Sequence, residues 1–72
     1  MSDIQERLPI LFDYWIEHNL EHEQEFRDWA DKSASSLGEV AQQLQEAAAR
    51  MADASSCLEK ARHAFTKSMG RE

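Results

Sequence analysis

The chain has 72 residues, 42% hydrophobic and 31% charged, with two Gly, one Pro and one Cys. A chain this short buries only about 60% of the surface it exposes when unfolded, so it forms one small domain and needs a partner surface or a very economical fold. Fourteen acidic against eight basic residues give a formal charge of −6, which repels phosphate backbones and argues against a nucleic-acid partner.

The start, Met1-Ser2-Asp3-Ile4-Gln5-Glu6, lacks the basic and apolar regions of a secretory signal. No later window approaches the roughly 18 consecutive apolar residues of a spanning helix. No membrane partner is expected, and a cytoplasmic location is the default. The first element is a helix from about Arg7 to Lys32. It contains no Gly, and its one proline, Pro9, lies near the start, where a fixed φ and a missing N–H suit a first turn. Ser2 with Gln5 has capping-box spacing, so an earlier start with a bend at Pro9 is the other option. On a wheel of about 100° per residue, Ile4, Leu8, Leu11, Phe12, Trp15, Phe26, Trp29 and Ala30 share one broad face.

That face is interrupted by a polar layer. Asn19 and His22 fall between Trp15 and Phe26, while His18 and Glu25 fall on one flank. Burying an amide or an imidazole without a partner costs about 1–3 kcal/mol, so something must satisfy them. His18 and His22 are four residues apart, which stacks two rings on one helix face, and Glu25 follows three residues later. Imidazole and carboxylate at this spacing form a partial ligand set for zinc, nickel or cobalt. The bland alternative is that the carboxylates of Glu17, Glu21, Glu23 and Glu25 satisfy the histidines, and that Asn19 fixes register in a helical seam without any ligand. Asn19 stands where a zincin-type protease needs its glutamate base, so peptidase activity is not suggested.

A turn is predicted at 33–36, within Ser33-Ala34-Ser35-Ser36-Leu37-Gly38-Glu39, where Ser36 and Glu39 have the S-x-x-E spacing of a helix start. The second helix then runs from about Leu37 to Ser68, with Gly70 as a left-handed cap. Leu37, Leu44, Met51, Leu58 and Phe65 recur every seven residues, and Val40, Ala47, Ala54, Ala61 and Ser68 form a parallel column of mostly small residues. A sustained seven-residue repeat reads as a left-handed coiled-coil seam. Together the elements predict an all-α, single-domain antiparallel hairpin. The aromatic face of the first helix exceeds what one partner helix covers, so two hairpins are expected to associate as a C2 homodimer, a four-helix bundle. A second copy of His18 and His22 would then complete four nitrogens.

In the second helix, His63 reads as a solvated histidine, and Cys57 as a packing residue without a disulfide partner. Arg50 is expected to reach Glu21 or Glu25, and Arg62 to lay its stem near Leu8. No phosphate loop, nucleophile triad or carboxylate pair stands out, and an enzyme is not expected. Trp15-Ile16-Glu17-His18-Asn19, Glu21-His22, Glu25-Phe26 and Trp29-Ala30 resemble a group of small prokaryotic helical proteins and appended domains with the pattern W-[IV]-E-H-N-x-E-H-x-x-E-[FY]-x-x-W-A. The likeness covers about sixteen residues, and Pro9 departs from it. It implies transition-metal handling centred on His18, Asn19, His22 and Glu25. Two functions follow as expectations: binding of a divalent nickel, cobalt or zinc ion by this layer, or a metal-free hairpin that recruits a helical protein partner.

Overall fold

The computed structural model describes residues 2–70. Two α-helices, α1 (Ser2–Ser33) and α2 (Gly38–Gly70), pack against each other as an antiparallel hairpin. Its Cα extents are 53 × 18 × 14 Å, a slab one helix thick. No helix among the described residues is long and apolar enough to cross a membrane.

The seam follows from a heptad on each strand of the hairpin. On α1 the inward positions are Phe12, Ile16, Asn19, Glu23, Phe26 and Ala30, alternating steps of four and three; on α2 they are Ala41, Leu44, Ala48, Met51, Ser55, Leu58, Arg62 and Phe65. Phe12, Ile16, Ala30, Ala41 and Ala48 form the buried core, with Ala30 and Ala48 fully enclosed. Alanine at these levels brings the two backbones close, as knobs-into-holes packing requires. Phe12 anchors the open end of the hairpin, edge-on to Phe65 across the seam at 6.1 Å and to Trp15 along α1 at 6.0 Å. Arg62 Nη1 donates to Asp13 at 2.7 Å, an interhelical bond flanking the seam. Both groups are substantially exposed, so the pair fixes register more than it stabilises.

Several expectations are corrected by this geometry. The first helix starts at Ser2, well before Arg7, and carries Pro9 inside it. The missing N–H leaves the carbonyl of Gln5 without its helical partner, yet the helix continues through it. The Ser2–Gln5 cap lies outside the described side chains, as does a capping role for Gly70; α2 runs through Gly70 rather than ending at Ser68. At the turn, Ser36 N–H and Leu37 N–H both donate to the carbonyl of Ser33, at 3.2 and 2.7 Å, and the Ser33 hydroxyl donates to the carbonyl of Trp29 at 2.8 Å. The N–H of Ala41 donates to the carbonyl of Leu37 at 2.9 Å, which makes Leu37 the N-cap where Ser36 was expected.

The small column against α1 is Ala41, Ala48 and Ser55, not Val40, Ala47, Ala54 and Ala61. Ala54 and Ala61 are exposed, and Val40 is 47% exposed. The large column 44, 51, 58 and 65 is flanked by small residues on both sides, so the wheel alone does not say which flank meets the partner helix. On α1 the same ambiguity hid Ile16, which is buried, while Trp15 and Trp29 stay 37% and 53% exposed. Arg50 pairs inside its own helix, with Glu46 at 3.3 Å and Asp53 at 3.5 Å, and reaches neither Glu21 nor Glu25.

Gly38 opens α2, and a Cβ built on it meets nothing within 4 Å. Gly38→Ala is therefore expected to stabilise the hairpin by about 0.5–1 kcal/mol, through lower chain entropy when unfolded. A chemical-denaturation midpoint that falls would contradict this.

Candidate metal centre

The polar layer of α1 divides into two parts with different surroundings. Asn19 and Glu23 face the seam and are half-buried. The Glu23 carboxylate accepts from Arg27, at 3.2 Å from Nε and 2.9 Å from Nη2, and only 19% of its side chain is exposed. By the register that Asp13–Arg62 and Phe12–Phe65 set, Ser55 lies level with this part of the seam, and its buried hydroxyl has no hydrogen-bond partner. The seam part of the layer thus faces α2, as polar groups at inward heptad positions do.

His18 and His22 lie about a quarter-turn away, on the open side of the slab. Their Nε2 atoms approach to 3.1 Å, and their rings meet edge to face with centroids 4.5 Å apart. Each ring is also held from the helix itself. Tyr14 stacks on His18 at 5.3 Å and 14°, and Phe26 stacks on His22 at 5.9 Å and 20°. The four rings form a ladder at steps of four residues, which is what one face of an α-helix brings together. The spacing is written in the sequence, although Tyr14 lies off the main apolar stripe.

Glu25 sits on the other nitrogen of His22. Its Oε1 lies 3.4 Å from Nδ1, so the carboxylate stands on the side of the ring opposite the Nε2 atom that faces His18. The 3.1 Å contact joins the two Nε2 atoms, with donor and acceptor set by the tautomers of the two rings. The three groups are therefore not arranged as three converging ligands. Among the described residues no group of three or more His, Cys, Asp or Glu converges in a way that could hold a metal. Two nitrogens converge, and the carboxylate orients one of them. His63 and Cys57 are exposed on α2, and by the same register His63 lies level with residues 12–14 rather than with the pair.

Beside the pair, a groove runs across the same side of the slab, lined by His22, Phe26 and Trp29 of α1 and Val40 and Leu44 of α2. Lys32 lies over the Trp29 ring at 4.3 Å from its centroid. His22 therefore lines an open groove made by both helices, and His18 lies beside it on α1 with Tyr14, Glu17 and Glu21.

A family model described as a domain of unknown function, DUF8180, matches residues 8–65. The chain belongs to the DUF8180 family. The DUF8180 match spans both helices and the turn, and it includes His18, Asn19, His22 and Glu25. A relative from Archaeoglobus fulgidus, described as an uncharacterized protein, is 39% identical over 56 residues, covering 78% of this chain and 90% of the relative. No solved structure matches the chain. The hairpin is thus the architecture of a DUF8180 domain, and the relative has nearly the length of the matched segment alone.

Proposed function

We propose that this hairpin binds a divalent transition metal, nickel, cobalt or zinc, through Nε2 of His18 and Nε2 of His22, in a binding, sensing or structural role without turnover. The observation that carries the reading is the 3.1 Å separation of the two Nε2 atoms. Two ligands at 2.0–2.1 Å from one tetrahedral ion lie about 3.3 Å apart, so the two nitrogens already stand near the separation that a shared cation requires. Glu25 contributes by holding Nδ1 of His22, the part carboxylates play behind metal-bound imidazoles. Asn19 supports the helix seam beneath the pair. Binding through both Nε2 atoms leaves the proton of each neutral ring on Nδ1, and because an imidazolium has no lone pair to give, metal binding weakens on acidification.

The acidic surroundings, with Glu17 and Glu21 beside Tyr14 and His18, favour a cation over an anion at this spot. A second reading, a metal-free hairpin that recruits another helix, is favoured by the apolar groove and by the exposure of Trp15 and Trp29.

Calorimetric titration of metal-free protein with Ni²⁺, Co²⁺ and Zn²⁺ separates the two. The wild type is expected to bind at least one of the three, and His18→Ala/His22→Ala to lose at least about 100-fold in affinity while keeping its helical circular dichroism. Equal binding by the double variant, or none by the wild type, leaves the metal-free reading standing.

A further inference from the structure

A single chain offers two nitrogens where a closed tetrahedral site needs four ligands, and the face on which they lie is apolar along both helices. We infer that the missing ligands are His18 and His22 of a second copy, laid face to face so that the two α1 helices run antiparallel across a two-fold axis at the histidine level. This inference rests on the metal-binding reading and names what completes the site.

Three features of the slab favour a second copy over another occupant. The first is position along the rod. His18 and His22 are centred on residue 20, and α1 runs Ser2–Ser33, so the pair lies about 4 Å from the middle of the helix at 1.5 Å per residue. A two-fold axis through the pair offsets the two copies by only about 8 Å along a 53 Å rod, leaving most of the length overlapped. A histidine pair near either end would have joined two tips.

Area is the second feature. A face of 53 by 18 Å corresponds to roughly 900 Å² per copy, and a stable standard-size interface needs roughly 800 Å² per partner. The third is the composition of that face. Leu44, Met51, Leu58 and Phe65 are only half-buried by α1, and beyond them Ala54 and Ala61 are exposed at a seven-residue interval. In the face-to-face arrangement α2 meets its own copy, and small side chains at those levels let two helices approach closely. A two-fold interface is self-complementary, and the requirement here is itself self-complementary, one pair of imidazoles completing an identical pair.

Charge makes assembly and metal depend on each other. Each copy carries a formal charge of −6, and Glu25 lies beside the shared site, so two apo copies repel where their histidines meet. A divalent cation at the axis lowers that repulsion. By linkage, the factor by which metal strengthens the dimer equals the factor by which the dimer strengthens metal binding.

The test is sedimentation equilibrium of the full chain at micromolar concentration, metal-free and with Zn²⁺, beside the calorimetric stoichiometry and Ala54→Glu/Ala61→Glu. These positions are exposed in the single hairpin, and Glu is a good helix former, so the charged variant keeps its helical circular dichroism. The expected result is a species of twice the chain's 8.3 kDa, one Zn²⁺ per two chains, a dimer at least about tenfold tighter with metal, and a charged variant that is monomeric and binds Zn²⁺ at least about tenfold more weakly. A monomer at all concentrations that binds one Zn²⁺ per chain, with that binding lost in His18→Ala/His22→Ala, overturns the second copy as ligand donor and leaves the metal reading intact. A dimer in which wild type and His18→Ala/His22→Ala alike bind no metal overturns both. If the charged variant does not fold, the wild-type mass and stoichiometry still decide between these outcomes.

Discussion

Phe12→Ala is expected to cost about 3–5 kcal/mol, the range for removing a buried aromatic side chain from a packed core. That is as much as a single core supplies in a chain below about 70–80 residues, so the variant should be largely unfolded at 25 °C. The reason lies in what Phe12 touches. It is buried, it meets Phe65 across the seam and Trp15 along α1, and around it the core is made mostly of alanines, which contribute close approach and little area. A thermal melt followed by far-ultraviolet circular dichroism measures the effect. Trp29→Ala is the matched comparison: a larger side chain is removed, but one already 53% exposed, and in an isolated hairpin its loss costs under about 1 kcal/mol. A Phe12→Ala protein melting within a few degrees of wild type would mean that the Phe12–Phe65 contact does not anchor the open end.

The contrast between Phe12 and Trp29 also explains how much of the molecule was legible in the sequence. Helix, turn and hairpin follow from the scarcity of Gly and Pro, the seven-residue repeat of Leu44, Met51, Leu58 and Phe65, and the serine-rich break. Those signals are local, and local physics suffices for them. Which flank of each stripe meets the partner helix is a tertiary choice. Periodicity put Trp15 and Trp29 on the core face with Phe12 and Ala30; the seam buries Phe12 and Ala30 but takes Ile16, one position after Trp15, and leaves both tryptophans partly exposed. A step of one residue turns a helix by about 100°, enough to move a side chain from the interface to the open face. The same turn moved the small column from Ala47 and Ala54 to Ala48 and Ser55. It also split the polar layer, sending Asn19 and Glu23 into the seam and leaving His18 and His22 on the side that α2 does not cover. The proximity of the two histidines was legible, since residues four apart are neighbours on any helix. The part played by Glu25 was not, because spacing brings a carboxylate near an imidazole without saying which ring nitrogen it meets.

Glu25→Gln follows from that last point. In the structure the carboxylate lies 3.4 Å from Nδ1 of His22, where a carboxylate behind a metal-bound imidazole orients the ring. The amide keeps the shape and removes the charge, and metal affinity is expected to fall about 10–100-fold, the usual effect of losing a hydrogen-bonding carboxylate behind a metal-bound imidazole. Stability should change by less than about 1 kcal/mol, because 39% of the His22 side chain and 60% of the Glu25 side chain are solvent-exposed. Titrating Zn²⁺ into wild type, Glu25→Gln and His22→Ala in parallel distinguishes the two ways a carboxylate can act. If it orients His22, Glu25→Gln retains the wild-type stoichiometry at reduced affinity and lies between wild type and His22→Ala. If instead Glu25 swings round to bind the ion directly, its replacement removes a ligand and should match His22→Ala. Equal affinity for wild type and Glu25→Gln would detach Glu25 from the site altogether and leave Tyr14 and Phe26, stacked on the two rings, as the side chains that orient the pair.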